Sequence, residues 1–228
     1  MSWMLASVNS LEEARLVHGA GVDIIDLKQP AEGALGALDL ETVAEIVAAL
    51  KPSTKISATV GDLPMQPNLL GKAVSTMAAT GVDYVKIGFF PGGDWLGSIR
   101  GLAEITRQGH ALIAVLFADT RPDFAIVETL ASAGFRGVML DTMDKRRGSL
   151  TELMAVDELQ RFVRAAKACS LLTGLAGSLK AGDIAELLPL NADYLGFRGA
   201  LCRESNRNAA LDEGQVLKIK ELLTGCVA

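Results

Sequence analysis

Short apolar runs alternate with longer stretches in which apolar residues recur every three or four positions, and the alternation runs the length of the chain. The short runs predict strands over Met4–Ser7, Ile24–Leu27, Lys55–Thr59, Tyr84–Ile87, Leu112–Leu116, Gly137–Leu140, Leu171–Leu175 and Tyr194–Phe197. Their apolar content is nearly continuous, as in strands buried on both faces of a parallel sheet. The longer stretches predict helices. In SLEEARLVHGAG, Ser10 precedes Leu11 and Glu13 follows three residues after the serine, a capping signature, while Gly19 and Gly21 mark the stop. In DLETVAEIVAAL, Asp39 is the expected cap and Pro52 the limit. LLGKAVSTMAATG, WLGSIRGLAEITRQG, PDFAIVETLASAG, VDELQRFVRAAKACS, LKAGDIAELLPL and DEGQVLKIKELLTG continue the series.

A partial repeat supports this layout. GAGVDIIDLK, ATGVDYVKIG, SAGFRGVMLD and PLNADYLGFRG each place a helix end and a small turn before a short strand. Such β-α units at roughly 28 residues each predict one α/β domain over residues 1–228, a single (β/α)8 TIM barrel near the small end of its size range. A doubly wound open sheet is the alternative, but no GxGxxG follows the first strand, so a dinucleotide site has little support.

Composition narrows the function. The chain has 228 residues, a net charge of -5 and 5% aromatic residues. That charge argues against nucleic acid as a partner, which needs a dense basic face. No uncharged apolar run reaches the roughly 18 residues of a membrane span, and the N-terminus lacks the pattern of a signal peptide, so a cytoplasmic protein is expected. Cys169, Cys202 and Cys226 show no CxxC spacing, which fits a reducing compartment and packing roles. His18 and His110 fall outside the inferred barrel mouth, and no cluster has metal-ligand spacing. Neither metal nor cofactor is expected. Small barrels often associate, so a homo-oligomer is the expected assembly.

In a barrel of this kind the chemistry sits at the C-terminal ends of the strands. Asp26 and Lys28, two apart, share one side of the second strand, with Ile25 and Leu27 on the other. Lys86 lies inside the fourth strand on the side of Tyr84 and Gly88. Asp141, Thr142 and Lys145 end the sixth. Thr59, Asp62 and Asp119 lie at other strand ends, and Glu32 in QPAEGALGA binds or caps. A lysine at a strand end is commonly just solvated, and an aspartate there commonly caps. Two lysines inside short apolar strands, each near a carboxylate, point to chemistry instead. Burial and neighbouring cations lower an amine's pKa, and a neutral amine attacks carbonyls to form an imine. A second lysine and the carboxylates can then move protons.

The loops after the seventh and eighth strands read LAGSLKAGD and FRGALCRESNRN. In such barrels they often bind phosphate through backbone amides. Gly177, Ser178, Gly199 and Ala200 let backbone approach a ligand, and Arg198 would add charge; the plain alternative is that these glycines only permit tight turns. DKRRG, Asp144 to Gly148, is either a solvated loop or part of a lid.

Together GVDIIDLKQPAEGALGA, SATVGDLP, GVDYVKIGFF, VMLDTMDK, LAGSLK and GFRGALCRESNRN resemble, almost end to end, the (5-formylfuran-3-yl)methyl phosphate synthase family of methanofuran and methylofuran biosynthesis. The resemblance implies a lyase that condenses two molecules of glyceraldehyde 3-phosphate to a furan phosphate, releasing phosphate and water. It implies that Lys28 is the Schiff-base lysine, that Lys86 transfers protons, and that Asp26, Asp141 and Lys145 support them. The segments FFPGGDWLGSIRGL and VLFADTRPD depart from archaeal members. Two rivals are a different imine-forming triose-phosphate aldolase, which would release no phosphate, and a non-catalytic barrel that binds phosphometabolites.

Overall fold

The structure, a computed structural model, describes residues 2–225; Cys226 lies outside them. Eight strands, β1 (Trp3–Val8), β2 (Ile24–Leu27), β3 (Lys55–Thr59), β4 (Tyr84–Gly88), β5 (Leu112–Phe117), β6 (Gly137–Asp141), β7 (Leu172–Leu175) and β8 (Tyr194–Phe197), close a parallel barrel in chain order. β8 pairs with β1 from Trp3↔Tyr194 to Ala6↔Phe197. The strands are buried almost throughout, as β5 illustrates with all six residues buried, which is why their sequences read as unbroken apolar runs.

The helices around the barrel are α1 (Leu11–Gly19), α2 (Leu40–Leu50), α3 (Pro67–Ala78), α4 (Trp95–Arg107), α5 (Ile126–Ser132), α6 (Leu150–Leu153), α7 (Val156–Ala168), α8 (Ile184–Leu187) and α9 (Glu213–Gly225). Ser10 caps α1 by accepting from the Glu13 amide, and Asp39 caps α2 by accepting from Thr42. Two expectations change. LKAGDIAELLPL is not one helix: α8 is flanked by 3-10 turns at Ala181–Asp183 and Leu188–Leu190, and Pro189 removes an amide that a longer helix would need. α6 was not expected, because four residues carry no readable period; Ser149 and Glu152 box its first turn.

Two apolar clusters divide the interior. The outer one packs the outward faces of the strands, including Ile25 and Leu27, against the helices. The inner one fills the barrel with Leu5, Ile24, Ile113, Val115, Phe117, Met139 and Tyr194. A Cβ on Gly174 would stand 2.2 Å from the Tyr194 ring, so this strand position must be glycine for the phenol to lie across the barrel. The inner cluster plugs the barrel beneath its polar end.

Three of the four repeats carry an aspartate just before the strand, in GVD (Asp23, Asp83) or NAD (Asp193), and its presence has a physical basis. Asp23 accepts a hydrogen bond from the Met4 amide at 2.8 Å, Asp83 from Ile56 at 2.9 Å, and Asp193 from Thr173 at 2.7 Å. Each aspartate stands just before one strand and holds the start of the preceding strand, tying adjacent strands where the ladder begins. An ionised acceptor on a buried amide contributes about 1.5–3 kcal/mol. Asp193→Ala is therefore expected to lower unfolding stability by about 1–3 kcal/mol, and Asp193→Asn by less, in urea titrations followed by circular dichroism. Equal stability of Asp193→Ala and the parent would refute this tie.

Candidate active site

β2, β4 and β6 deliver the charged side chains to the C-terminal mouth. Asp26, fully buried, accepts from Ser7 Oγ (2.9 Å), Ser57 Oγ (2.6 Å) and Lys86 Nζ (2.9 Å). Its neighbours on β1 and β3 are Ser7 and Ser57 themselves, paired in register. Burial alone would raise the Asp26 pKa. Lys86, Lys28 and the Ser57 hydrogen bond together hold it below the usual carboxylate range.

The second pair joins the end of β6 to the 3-10 turn that follows it, Lys145–Arg147. Lys145 Nζ lies 2.5 Å from Asp141 Oδ1 and 3.3 Å from Thr142 Oγ1. Burial pushes the Asp141 pKa up, but Lys145 and then Lys28 outweigh it, leaving the carboxyl at about 2.

Lys28 differs from both other lysines. It is 4% exposed, and its Nζ donates to a neutral acceptor, the Ala34 carbonyl, at 3.1 Å. Burial lowers its pKa most; Lys145 and Lys86 lower it further, while Asp141 and Asp26 oppose them. The amine settles at about 7 instead of 10.5. Lys86 and Lys145 each contact a carboxylate directly; among the described residues Lys28 does not.

The loop that accepts from Lys28 is itself braced. The Asp62 carboxylate accepts from the amides of Ala34 (2.8 Å) and Leu35 (2.7 Å). Gly33 has φ 121, and a Cβ there would lie 2.2 Å from Asp62 Oδ2, so only glycine permits this clasp. Asp119 braces the β6 loop likewise, accepting from Met143 (2.8 Å) and Asp144 (2.9 Å). Glu32 is exposed. His18 Nε2 meets Ser53 Oγ at 3.0 Å, away from the mouth.

A cavity of about 690 Å³ opens over these groups, lined by Lys28, Lys86, Asp141 and Lys145 and by Gly177, Ser178, Gly199 and Ala200. Among the described residues, the amides of those last four donate to no protein acceptor. Ser178 follows Gly177 with φ 49, a left-handed conformation uncommon for residues with side chains.

Arg198, expected to lend charge to a phosphate, is placed differently. Its Nε donates to the Arg207 carbonyl (2.9 Å), its guanidinium pairs with Glu13 (2.5 and 3.2 Å), and its remaining donors reach the carbonyls of Ser7 and Ala209 (both 3.1 Å). A guanidinium has five donors, and here all five have protein acceptors. Arg198 is a strut joining β8 to β1 and α1. Arg198 and Arg207 both line the cavity, but among the described residues only one donor of Arg207 has a protein acceptor; Arg207, Ser7 and Ser57 are site residues that the sequence did not single out. The serines could have been found from the period of two along β1 and β3. Arg207 lies in a loop with no such period.

Comparison with known proteins gives the chain its family. The family model described as 4-HFC-P synthase matches residues 4–220. A Methanopyrus kandleri (5-formylfuran-3-yl)methyl phosphate synthase is 33% identical over 96% of this chain and 98% of its own. A Methylorubrum extorquens protein provisionally given the same name is 43% identical over 96% of this chain and 91% of its own. In fold, the chain is similar to 3-hexulose-6-phosphate synthase of Salmonella typhimurium, with a TM-score of 0.70, 16% identity, and coverage of 98% and 99% of the two chains. Matched over nearly its whole length, the chain belongs to the 4-HFC-P synthase family.

Proposed function

We propose that this chain condenses two molecules of glyceraldehyde 3-phosphate to (5-formylfuran-3-yl)methyl phosphate, with loss of phosphate and water, through an imine on Lys28. Family membership supports the product class. The observation that carries the mechanism is Lys28 itself, a buried amine near neutrality that contacts no carboxylate, over a cavity walled by two ion pairs. The neutral amine attacks the aldehyde carbon, and water leaves as the imine forms. The protonated imine draws electrons from the adjacent carbon. Lys86, on Asp26, and Lys145, on Asp141, stand within the same mouth to move protons as the carbon nucleophile forms and phosphate departs. That nucleophile adds to the second triose at its C2 carbonyl, exposed once this triose has isomerised to its ketone form; ring closure with dehydration gives the 3-substituted furan, and hydrolysis of the imine frees Lys28. The free amides of Gly177, Ser178, Gly199 and Ala200 hold one phosphate. The setting is the methanofuran or methylofuran pathway.

Borohydride added to protein and glyceraldehyde 3-phosphate should fix a triose on Lys28, detected by peptide mass spectrometry and lost in Lys28→Arg. Turnover with no adduct on any lysine would exclude the imine. An adduct without phosphate release would favour an aldolase, and neither adduct nor turnover a binding protein.

The Lys28 pKa also sets a pH dependence. Only the neutral amine reacts, so the single-turnover rate of imine formation should rise about tenfold per pH unit below pH 7 and level off above it. A flat profile from pH 5 to 9 would contradict this assignment.

A stability effect follows with a defined sign. The folded-state pKa of Lys28 lies below its unfolded value, so its protonated form disfavours folding. The penalty is full below pH 7 and vanishes as pH approaches 10.5. Lys28→Met should therefore melt above the parent at pH 7, by up to about 4 kcal/mol in stability. The gap should narrow towards pH 10; a variant less stable at pH 6 than at pH 10, relative to the parent, would overturn it.

A further inference from the structure

The segment between β8 and α9 carries a cation that the mechanism above leaves unused. Arg207 lines the cavity together with Ser205 and Asn206. Among the described residues its side chain makes one hydrogen bond, from NH2 to the Gly33 carbonyl at 3.0 Å. The next carbonyl along the chain, that of Ala34, accepts from Lys28 Nζ. Arg207 and Lys28 thus hang from consecutive links of one braced loop, whose Cα atoms are about 3.8 Å apart. Both side chains address the same short stretch of loop and line one cavity.

The loop is built to hold Arg207 there. Glu204 and Ser205 have φ 53 and 56, two successive residues with side chains in the left-handed region. Such backbone persists only where its surroundings over-determine it. Here Arg203 donates to Ala210 (3.1 Å), Ala209 to Asn206 (2.9 Å), and Cys202 bridges to Leu211. The Arg198 strut, locked on Glu13, grips the carbonyls of Arg207 and Ala209. A surface loop that only covered the barrel end would need none of this. Four unspent donors on a half-buried guanidinium suit a phosphate, which takes paired N–H groups from one arginine.

We propose that Arg207 binds the phosphate of the triose held by Lys28, as a second anion site apart from the amides of Gly177, Ser178, Gly199 and Ala200. This rests on the triose-phosphate reading above. Two phosphorylated substrates require two anion sites, and Arg207, bonded to the loop after β2, supplies a charge that those amides lack. Arg207 keeps donors for a ligand, whereas the five donors of Arg198 all have protein acceptors.

The test compares the parent with Arg207→Gln and Arg207→Lys in two measurements. The first is binding of inorganic phosphate by calorimetry. The second is the rate of borohydride-trapped adduct formation on Lys28 with glyceraldehyde 3-phosphate and with glyceraldehyde. Losing a charge-assisted pair should weaken phosphate binding roughly tenfold to a hundredfold in Arg207→Gln. The preference for the phosphorylated aldehyde should fall by a similar factor, the glyceraldehyde rate should stay within about twofold, and Arg207→Lys should recover part of both losses. Unchanged phosphate binding and preference would overturn the proposal. So would equal losses with both aldehydes, which mark a loop that only shapes the Lys28 pocket, or a parent that binds no phosphate. If no adduct forms even in the parent, the imine reading fails, and the calorimetric arm still decides whether Arg207 binds phosphate.

Discussion

Three lysines and two aspartates share the mouth of one small barrel, and the site depends on how they are matched. Ammonium groups taken out of water are costly unless paired with charge and hydrogen-bonded. Asp26 compensates Lys86, and Asp141 compensates Lys145. Lys28 receives only a backbone carbonyl, with both carboxylates already engaged. Without such a partner among the described residues, Lys28 has its pKa lowered by burial to about 7. The proposed nucleophile is thus set apart by what its neighbours hold, without any exceptional feature of its own strand.

Hydrogen-bonded carboxylates also organise the loops. Carboxylates that do not face substrate clasp backbone amides: Asp62 holds the loop after β2, and Asp119 the loop after β6. At the opposite end Asp23, Asp83 and Asp193 clasp the strand starts. The buried Glu13–Arg198 pair joins the first helix to the end of the last strand and so closes the barrel with side chains as well as with the ladder. Removing one member of such a pair leaves a buried charge uncompensated. That makes the strut a structural element, although it sits at the cavity rim.

Below the charged layer the inner cluster supplies a dry floor. Tyr194 lies across it, its pKa raised by burial and then by Asp26, so the phenol stays neutral. The low dielectric beneath the ion pairs strengthens their mutual attraction and deepens the penalty on Lys28.

Periodicity along the chain determined the barrel, because buried parallel strands and amphipathic helices have distinct local signatures; the strand positions held to within one or two residues at each end. It also determined that Asp26, Lys28 and Lys86 face inward, since a period of two fixes the side of a strand. The helix after β7 was misjudged where a proline broke it, and α6 was too short to show. Tertiary structure alone decided the pairings. Lys86 meets Asp26 across 60 residues and Arg198 meets Glu13 across 185. From sequence, Arg198 at a strand end looked like the free cation and Arg207 like loop. Only closure of β8 onto β1 brings Glu13 to Arg198, consumes its donors, and leaves Arg207 facing the cavity. A side chain's local position sets where it points, while its availability depends on partners that are remote along the chain.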